Sequence, residues 1–346
     1  MIDNVCYSKP MTEEIPKEVP LKYKDESDIN ENNILNADKT LLELLLKDCT
    51  TKKNILWMTD NYSKLGHGYE ETSEITIPLI TDKNSKIIRP RISKTKTEQL
   101  HRIRDKAEVF TPSWICNKQN NLVDNAWFGR DLVFNAENGK RWKTNHETIV
   151  FPEGKTWQDY VLSPRLEVSC GEAPYLISRY DTTTGDMIVI EDRIGLLDRK
   201  LRIVTENCQG KENWIKWARK SFQSIYGFEW QGDSLLLARE NALLSYIEYY
   251  KAMFNDENPS IELLREIAEI ISWNLWQMDG IKFVVPLSCH DVVTVEQDFF
   301  EEQEVRTVCE GCKTGNINKH NGLYCRIKDW QKNRTLVAVS MLKEGK

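Results

Sequence analysis

Three short segments, each closing on a glycine or an acid, constrain this chain more than any other feature. Segment 165–169 (Arg-Leu-Glu-Val-Ser) is apolar at its centre and runs into Cys170-Gly171, which suits a buried strand ending in a tight turn. Ser224 to Phe228 reads as a second strand, followed by Glu229 and Trp230. A third turn is Trp276-Gln277-Met278-Asp279-Gly280. Before the second strand, Glu212 to Ser224 carries Trp214, Trp217, Ala218 and Phe222 at helical spacing. After it come a long helix over Ser234 to Phe254 and another over Pro259 to Trp276, with Pro259 well placed at its start. Strand and helix alternating in this way predict a parallel sheet with crossovers, an open α/β domain.

The chain around that unit is less regular. Residues 1–35 are polar, with prolines at 10, 16 and 20, and are expected to form a mobile tail. Leu41, Leu42, Leu44, Leu45 and Leu46 give one short amphipathic helix. Ile75 to Ile80 reads as a strand that Pro78 confines to a sheet edge, and Ile188–Ile190 is a further strand candidate. No internal repeat is visible.

A mean hydropathy of -0.53 and the lack of any apolar run near twenty residues argue against a membrane span. The polar N-terminus does not read as a signal peptide. Nine scattered cysteines, an odd number, point to a reducing cytoplasm. The net charge of -6 does not suggest a nucleic-acid binder, yet charge is unevenly placed. From Lys83 to Lys106 nine bases (Lys83, Lys86, Arg89, Arg91, Lys94, Lys96, Arg102, Arg104, Lys106) stand against Glu98 and Asp105. Such a segment either makes phosphate contacts or is a solvated surface arm.

The three turns carry the candidate chemistry, because ligands of open α/β sheets sit beyond the strand carboxyl ends. Gly171 supplies positive φ or close approach. Glu229 is placed to accept hydrogen bonds from ribose hydroxyls, Trp230 to pack on a base, and Asp279 to accept from an adenine amino group. Taken singly, each has a plainer reading: a strand-end acid is commonly a helix cap or ion-pair partner, and a tryptophan is commonly core.

Together with Ala107-Glu108-Val109-Phe110-Thr111-Pro112 they form a more specific pattern. This segment resembles the Phe-Thr-Pro motif of amino-methyltransferases of the γ motif order. The Ser169-Cys170-Gly171 turn resembles their Asp-Pro-x-Cys-Gly-x-Gly-x-Phe/Tyr-Leu loop, with Glu167 at the acid position. Glu229 and Asp279 match the acids of the next two motifs, and Ala238-Arg239-Glu240-Asn241 resembles the family's Ala-Arg-x-Asn helix. Over roughly residues 55–345 the chain resembles the adenine-N6 DNA methyltransferases of restriction–modification systems.

The resemblance implies a Rossmann-like class I methyltransferase domain with an incomplete sheet and S-adenosylmethionine as cofactor. Phe110, Thr111 and Pro112 would line its methionine end, and Glu167, Cys170 and Gly171 would contact its amino-acid portion. Ala173 stands where a second glycine is usual and Val168 where proline is common. A methyl at Ala173 is expected to crowd the cofactor unless the turn keeps φ negative. The implied division is a tail and short helix over 1–50, a region with the basic arm over 51–108, the cofactor domain over 109–290 and a Cys/His element over 291–346.

The family's catalytic Asn/Asp/Ser-Pro-Pro-Tyr/Phe stabilises the charge developing on the amine and stacks on the flipped base. None of the eleven prolines here has a proline neighbour, so this chain holds no such tetrapeptide. It is therefore expected not to methylate DNA by itself. A second polypeptide would carry the catalytic and target-recognition parts and contribute DNA contact. The alternatives are a degenerate methyltransferase scaffold serving as a non-enzymatic binding or regulatory module, and a plain DNA-binding protein.

The last chemical pattern is Cys309-Glu310-Gly311-Cys312, then His320 and Cys325. This is the ligand set of a small structural zinc site, giving a zinc-ribbon-like C-terminal element; the alternative is free thiols on a hairpin. Cysteines 6, 49, 116, 208 and 289 read as packing residues. No nucleophile–base pair, phosphate-binding Gly-Lys-Ser/Thr loop or nuclease-like acid cluster is apparent.

Overall fold

In the computed structural model, residues 30–106, 110–297 and 302–342 are described. The N-terminal helices are α1 (Glu31–Ala37) and α2 (Lys39–Leu46), and the Asp38 carboxylate caps α2 by accepting from the Leu41 N–H at 2.9 Å. Leu41, Leu42, Leu45 and Leu46 are fully buried in the main core, so α2 belongs to the folded body. Residues 75–80 depart from the expected strand. The Ile75 N–H bonds the Ile55 carbonyl, but Ile77–Ile80 is a single helical turn, α3. Pro78 sits in that turn's start, where a missing N–H costs nothing.

Helices α4 (Lys96–Lys106) and α5 (Ser113–Phe128) follow. Ala107, Glu108 and Val109 of the Phe-Thr-Pro segment lie outside the described residues, as does the proline-bearing stretch before residue 30. A hairpin of β1 (Asn135–Asn138) and β2 (Arg141–Thr144) and a capped helix α6 (Trp157–Leu162) lead to β3 (Arg165–Val168). Ile188–Ile190, expected as strand, is not one. Met187 makes a single bridge to Tyr180, and Ile190 begins a 3-10 turn.

Beyond β3 run α7 (Leu196–Asn207), α8 (Lys211–Gln223), β4 (Ile225–Glu229), α9 (Gly232–Met253), α10 (Ile261–Asn274) and β5 (Leu275–Gln277). β3, β4 and β5 form a three-stranded sheet in that order, both pairs parallel, with Glu167 opposite Gly227 and Glu229 opposite Gln277. Gly227 is needed in the middle strand. A Cβ there would fall 2.9 Å from Leu275 and 3.2 Å from the Cys170 sulfur. The helix expected to reach Trp276 stops at Asn274, whose side-chain amide donates to the Phe222 and Ile225 carbonyls. Helix and strand are thereby joined without a loop.

α9 is buried from Gly232 to Tyr250, so its charged groups need internal partners. The Arg239 guanidinium, fully buried, donates to the carbonyls of Leu275, Leu45, Lys47 and Ser272. It ties α2, α10 and β5 to one side chain. Arg179, also buried, pairs with Glu248 at 2.7 Å and donates to Asn241.

The chain ends in β6 (Val292–Gln297), β7 (Glu302–Thr307), α11 (Glu310–Thr314), β8 (Arg326–Asp329) and β9 (Arg334–Val337). The two pairs are antiparallel hairpins. A second apolar cluster joins Phe228, Trp276 and Met278 of the sheet to Cys325, Ile327 and Ala338. Among the described residues no helix is long and apolar enough to cross a membrane.

Candidate functional site

Two groups of side chains carry chemistry. The first gathers at the carboxyl ends of the parallel strands. The Gly171 N–H, at φ +54°, donates to one Glu229 oxygen at 2.8 Å. The other Glu229 oxygen accepts from the N–H groups of Trp230 (2.9 Å) and Gln231 (3.1 Å). Glu167, buried in β3, accepts from Leu176 at 3.1 Å and Tyr175 at 3.4 Å, which folds the loop back over its own strand. Desolvation pushes its carboxyl up to about 8, a rise the Glu229 charge adds to and those two N–H donors only partly offset. Cys170 is buried with its N–H on the Phe228 carbonyl. The Met278 N–H bonds the Glu229 carbonyl, so Asp279 follows directly from that contact. One Asp279 oxygen accepts from the N–H groups of Ile281 and Lys282, and the other lies 3.3 Å from the Lys282 ammonium.

Phe110, Thr111 and Pro112 reach the same region less directly. Arg91 stacks on the Phe110 ring at 4.2 Å, and its N–H donates to Glu172, the residue after Gly171. The Thr111 carbonyl accepts from the Thr182 hydroxyl, and Pro112 begins α5. Trp230 is half-buried. Ala173 has the backbone conformation for which crowding of a cofactor was expected. Its φ is +61°, not negative, and its methyl is buried in the main core. Among the described residues, the cavities of about 830, 370 and 530 Å³ are lined elsewhere than by Gly171, Glu229 or Asp279.

The second group is a candidate metal centre. Cys289, Cys309, Cys312 and His320 bring four donor atoms within 4.8 Å of one another. The His320 Nδ1 lies 3.6 Å from the Cys289 sulfur, 3.8 Å from that of Cys309 and 3.6 Å from that of Cys312. Cys309 and Cys312 flank the start of the one-turn α11. A Cβ on Gly311 would fall 2.6 Å from the His320 N and Nδ1, so only glycine lets α11 close on the imidazole. Burial raises the Cys309 thiol, but N–H donors from Asn321, Cys312 and Gly311 and the His320 side chain outweigh it and hold the thiol at about 6. Cys289 is pushed up to about 11, mainly by desolvation and further by the neighbouring Cys312 and Cys309. A cation shared by the thiols would offset the repulsion that Cys309 and Cys312 exert on an ionised Cys289.

Cys325, expected as the fourth ligand, is not in this group. It is fully buried, and its thiol donates to the Gln277 carbonyl at 3.4 Å. Cys289, read as a packing residue, takes its place. The signal that would have found it is the spacing Cys-x19-Cys-x2-Cys-x7-His, with Cys289 just past the third strand-end turn. Gly322 brings the two segments together: a Cβ there would fall 2.6 Å from the Ser288 hydroxyl and 2.9 Å from the Cys289 sulfur.

The basic segment is only partly a surface arm. Arg102 and Lys94 are buried against Asp233 in the first turn of α9, at 2.7 and 3.4 Å, and the Tyr62 hydroxyl donates to the same carboxylate. No family model, curated protein or solved structure matches the chain.

Proposed function

We propose that the chain is an S-adenosylmethionine-binding, methyltransferase-like subunit or fragment of a DNA-modification system, and that it does not transfer a methyl group alone. The observation that carries this reading is the meeting of Gly171 and Glu229 at the carboxyl ends of two parallel strands, with Asp279 just past the third. That edge is where open α/β sheets hold ligands. Glu229 then receives the ribose hydroxyls, which join or displace its backbone donors. Asp279 receives the adenine amino group, and Trp230 packs on the base. Phe110, Thr111 and Pro112 border the methionine end, and Glu167 and Cys170 set the loop. The Asn-Pro-Pro-aromatic element comes from a partner polypeptide, as does target recognition.

The metal of the Cys/His centre is zinc in this reading. Zn–S near 2.3 Å and Zn–N near 2.0 Å at a tetrahedral angle put sulfur and nitrogen about 3.5 Å apart, and the three sulfur–Nδ1 distances are 3.6, 3.8 and 3.6 Å. Three thiolates and one imidazole leave no open position. The ion's role is structural.

Ultraviolet cross-linking with methyl-labelled S-adenosylmethionine tests the cofactor reading. Label confined to peptides spanning 165–176, 225–231 and 276–282 supports it. Label elsewhere, or none, overturns it. A second reading is a non-enzymatic binding or regulatory module on a degenerate scaffold. It is favoured by the Ala173 turn, where a core-anchored methyl holds the loop at φ +61° in place of the family's glycine.

A further inference from the structure

We infer that the cleft between the 60–65 turn and α4 is an anion pocket that takes a phosphate group. The cleft has a volume of about 530 Å³, within the range of small-ligand sites. Five of its lining residues are cations: Lys64, Lys86, Arg89, Lys94 and Arg102. Among the described lining residues, Asp60 and Glu98 are the acids that oppose them.

The cations divide into a fixed floor and a rim. Arg102 and Lys94 form the floor on Asp233, and Arg102 also donates to Gln231 and Ser234 at 3.1 and 3.2 Å. Asp233 is held far below the ordinary carboxylate range: burial opposes this, but Arg102 and Lys94 outweigh it. These two cations are thus held in place by Asp233, and the charge offered to a ligand is that of the rim. The rim consists of Lys64, Lys86 and Arg89. Lys64 and Lys86 are exposed and make no ion pair with any described residue. Arg89 lies 3.7 Å from Glu98, whose carboxylate is already engaged by the Thr95 N–H at 2.6 Å. Leu65 and Ile87 supply apolar wall between these charges. A concave surface with surplus positive charge and low-dielectric walls concentrates the field on an entering anion. Lysine ammoniums bind phosphate as compact point charges, and the Arg89 guanidinium adds a planar fork at the rim.

The pocket is separate from the strand-end site and stands whether or not a nucleoside occupies that edge. Phosphate reaches it either as a free phosphate ester or as the backbone of a nucleic-acid strand. The test uses full-length protein and two probes, inorganic pyrophosphate by calorimetry and a labelled short DNA duplex by fluorescence anisotropy at about 50 and 200 mM salt. The variants are Lys64→Ala/Lys86→Ala, Lys64→Arg/Lys86→Arg and, as a distant control, Lys155→Ala. Expected is binding by the native protein, weakened about tenfold in the alanine pair and kept in the arginine pair and the control. Pyrophosphate alone binding identifies the free ester. Duplex binding with a salt slope that falls in the alanine pair identifies the nucleic-acid strand. Binding of neither probe, or binding that the alanine pair leaves unchanged, overturns the proposal.

Discussion

The Cys289 sulfur lies 3.6 Å from the His320 Nδ1, although the two stand thirty-one positions apart in the chain. The contact fastens the segment after β5 to the loop before β8, and backbone bonds from Val285 to Leu323 and from Cys325 to Phe283 run alongside it. A fourth donor from the segment after β5 ties the candidate metal centre to the residues that follow the parallel sheet.

Cys289→Ser and Cys325→Ser should therefore behave differently. The first should lower zinc affinity on the order of a hundredfold or more, because it removes a thiolate ligand. The second should keep one zinc per chain and lower the melting temperature, since it alters a buried thiol in the second apolar cluster. Metal analysis after dialysis against a weak chelator, with a thermal melt, separates the two. Loss of zinc in Cys325→Ser would restore that residue as the ligand.

Gly311→Ala adds a methyl where His320 stands. The imidazole must shift, and zinc affinity should drop about tenfold with the four ligands intact. Competition with a chromogenic chelator measures it, and an unchanged affinity would mean that α11 does not close on His320.

Glu167 gives a pH dependence with a definite sign. Its carboxyl is pushed up to about 8 in the fold, chiefly by desolvation, against about 4.3 when unfolded. The folded state binds the extra proton across that window, so the stabilisation is present below the unfolded value and is lost as pH rises towards 8. The slope is at most about 1.4 kcal/mol per unit. Glu167→Gln should flatten it, as read from urea unfolding at intervals from pH 5 to 8. An identical slope in both proteins would place the titration elsewhere.

Arg239→Ala should destabilise by about 3 kcal/mol or more, because four carbonyls on three elements lose their buried donor. Arg239→Lys should recover little of this, since an ammonium cannot reproduce the planar fork. Chemical denaturation gives both values.

The sequence announces β3, β4 and the helices α8, α9 and α10 because buried strands and amphipathic helices leave local patterns, whereas the short β5 reads as the end of α10. Gly171, Glu229 and Asp279 were legible as strand-end residues for the same reason. What local pattern does not carry is long-range partnership. Nineteen residues lie between Cys289 and the Cys309-x2-Cys312 pair, too many for a short-range ligand pattern to include it, and Cys325 fits that pattern yet points at Gln277. Pro78 reads equally as an edge-strand or helix-start residue, and tertiary packing chose the helix. Lys94 and Arg102 look like solvated charge until the fold buries them against Asp233, over 130 residues later.

The central claim is that the strand-end edge binds S-adenosylmethionine, and calorimetric titration of the zinc-loaded protein tests it most directly. The account predicts one site per chain, with affinity falling at least about tenfold in Glu229→Ala and in Asp279→Ala as each removes a charged hydrogen-bond acceptor. No heat of binding in the native protein, or equal affinity in all three, would contradict it.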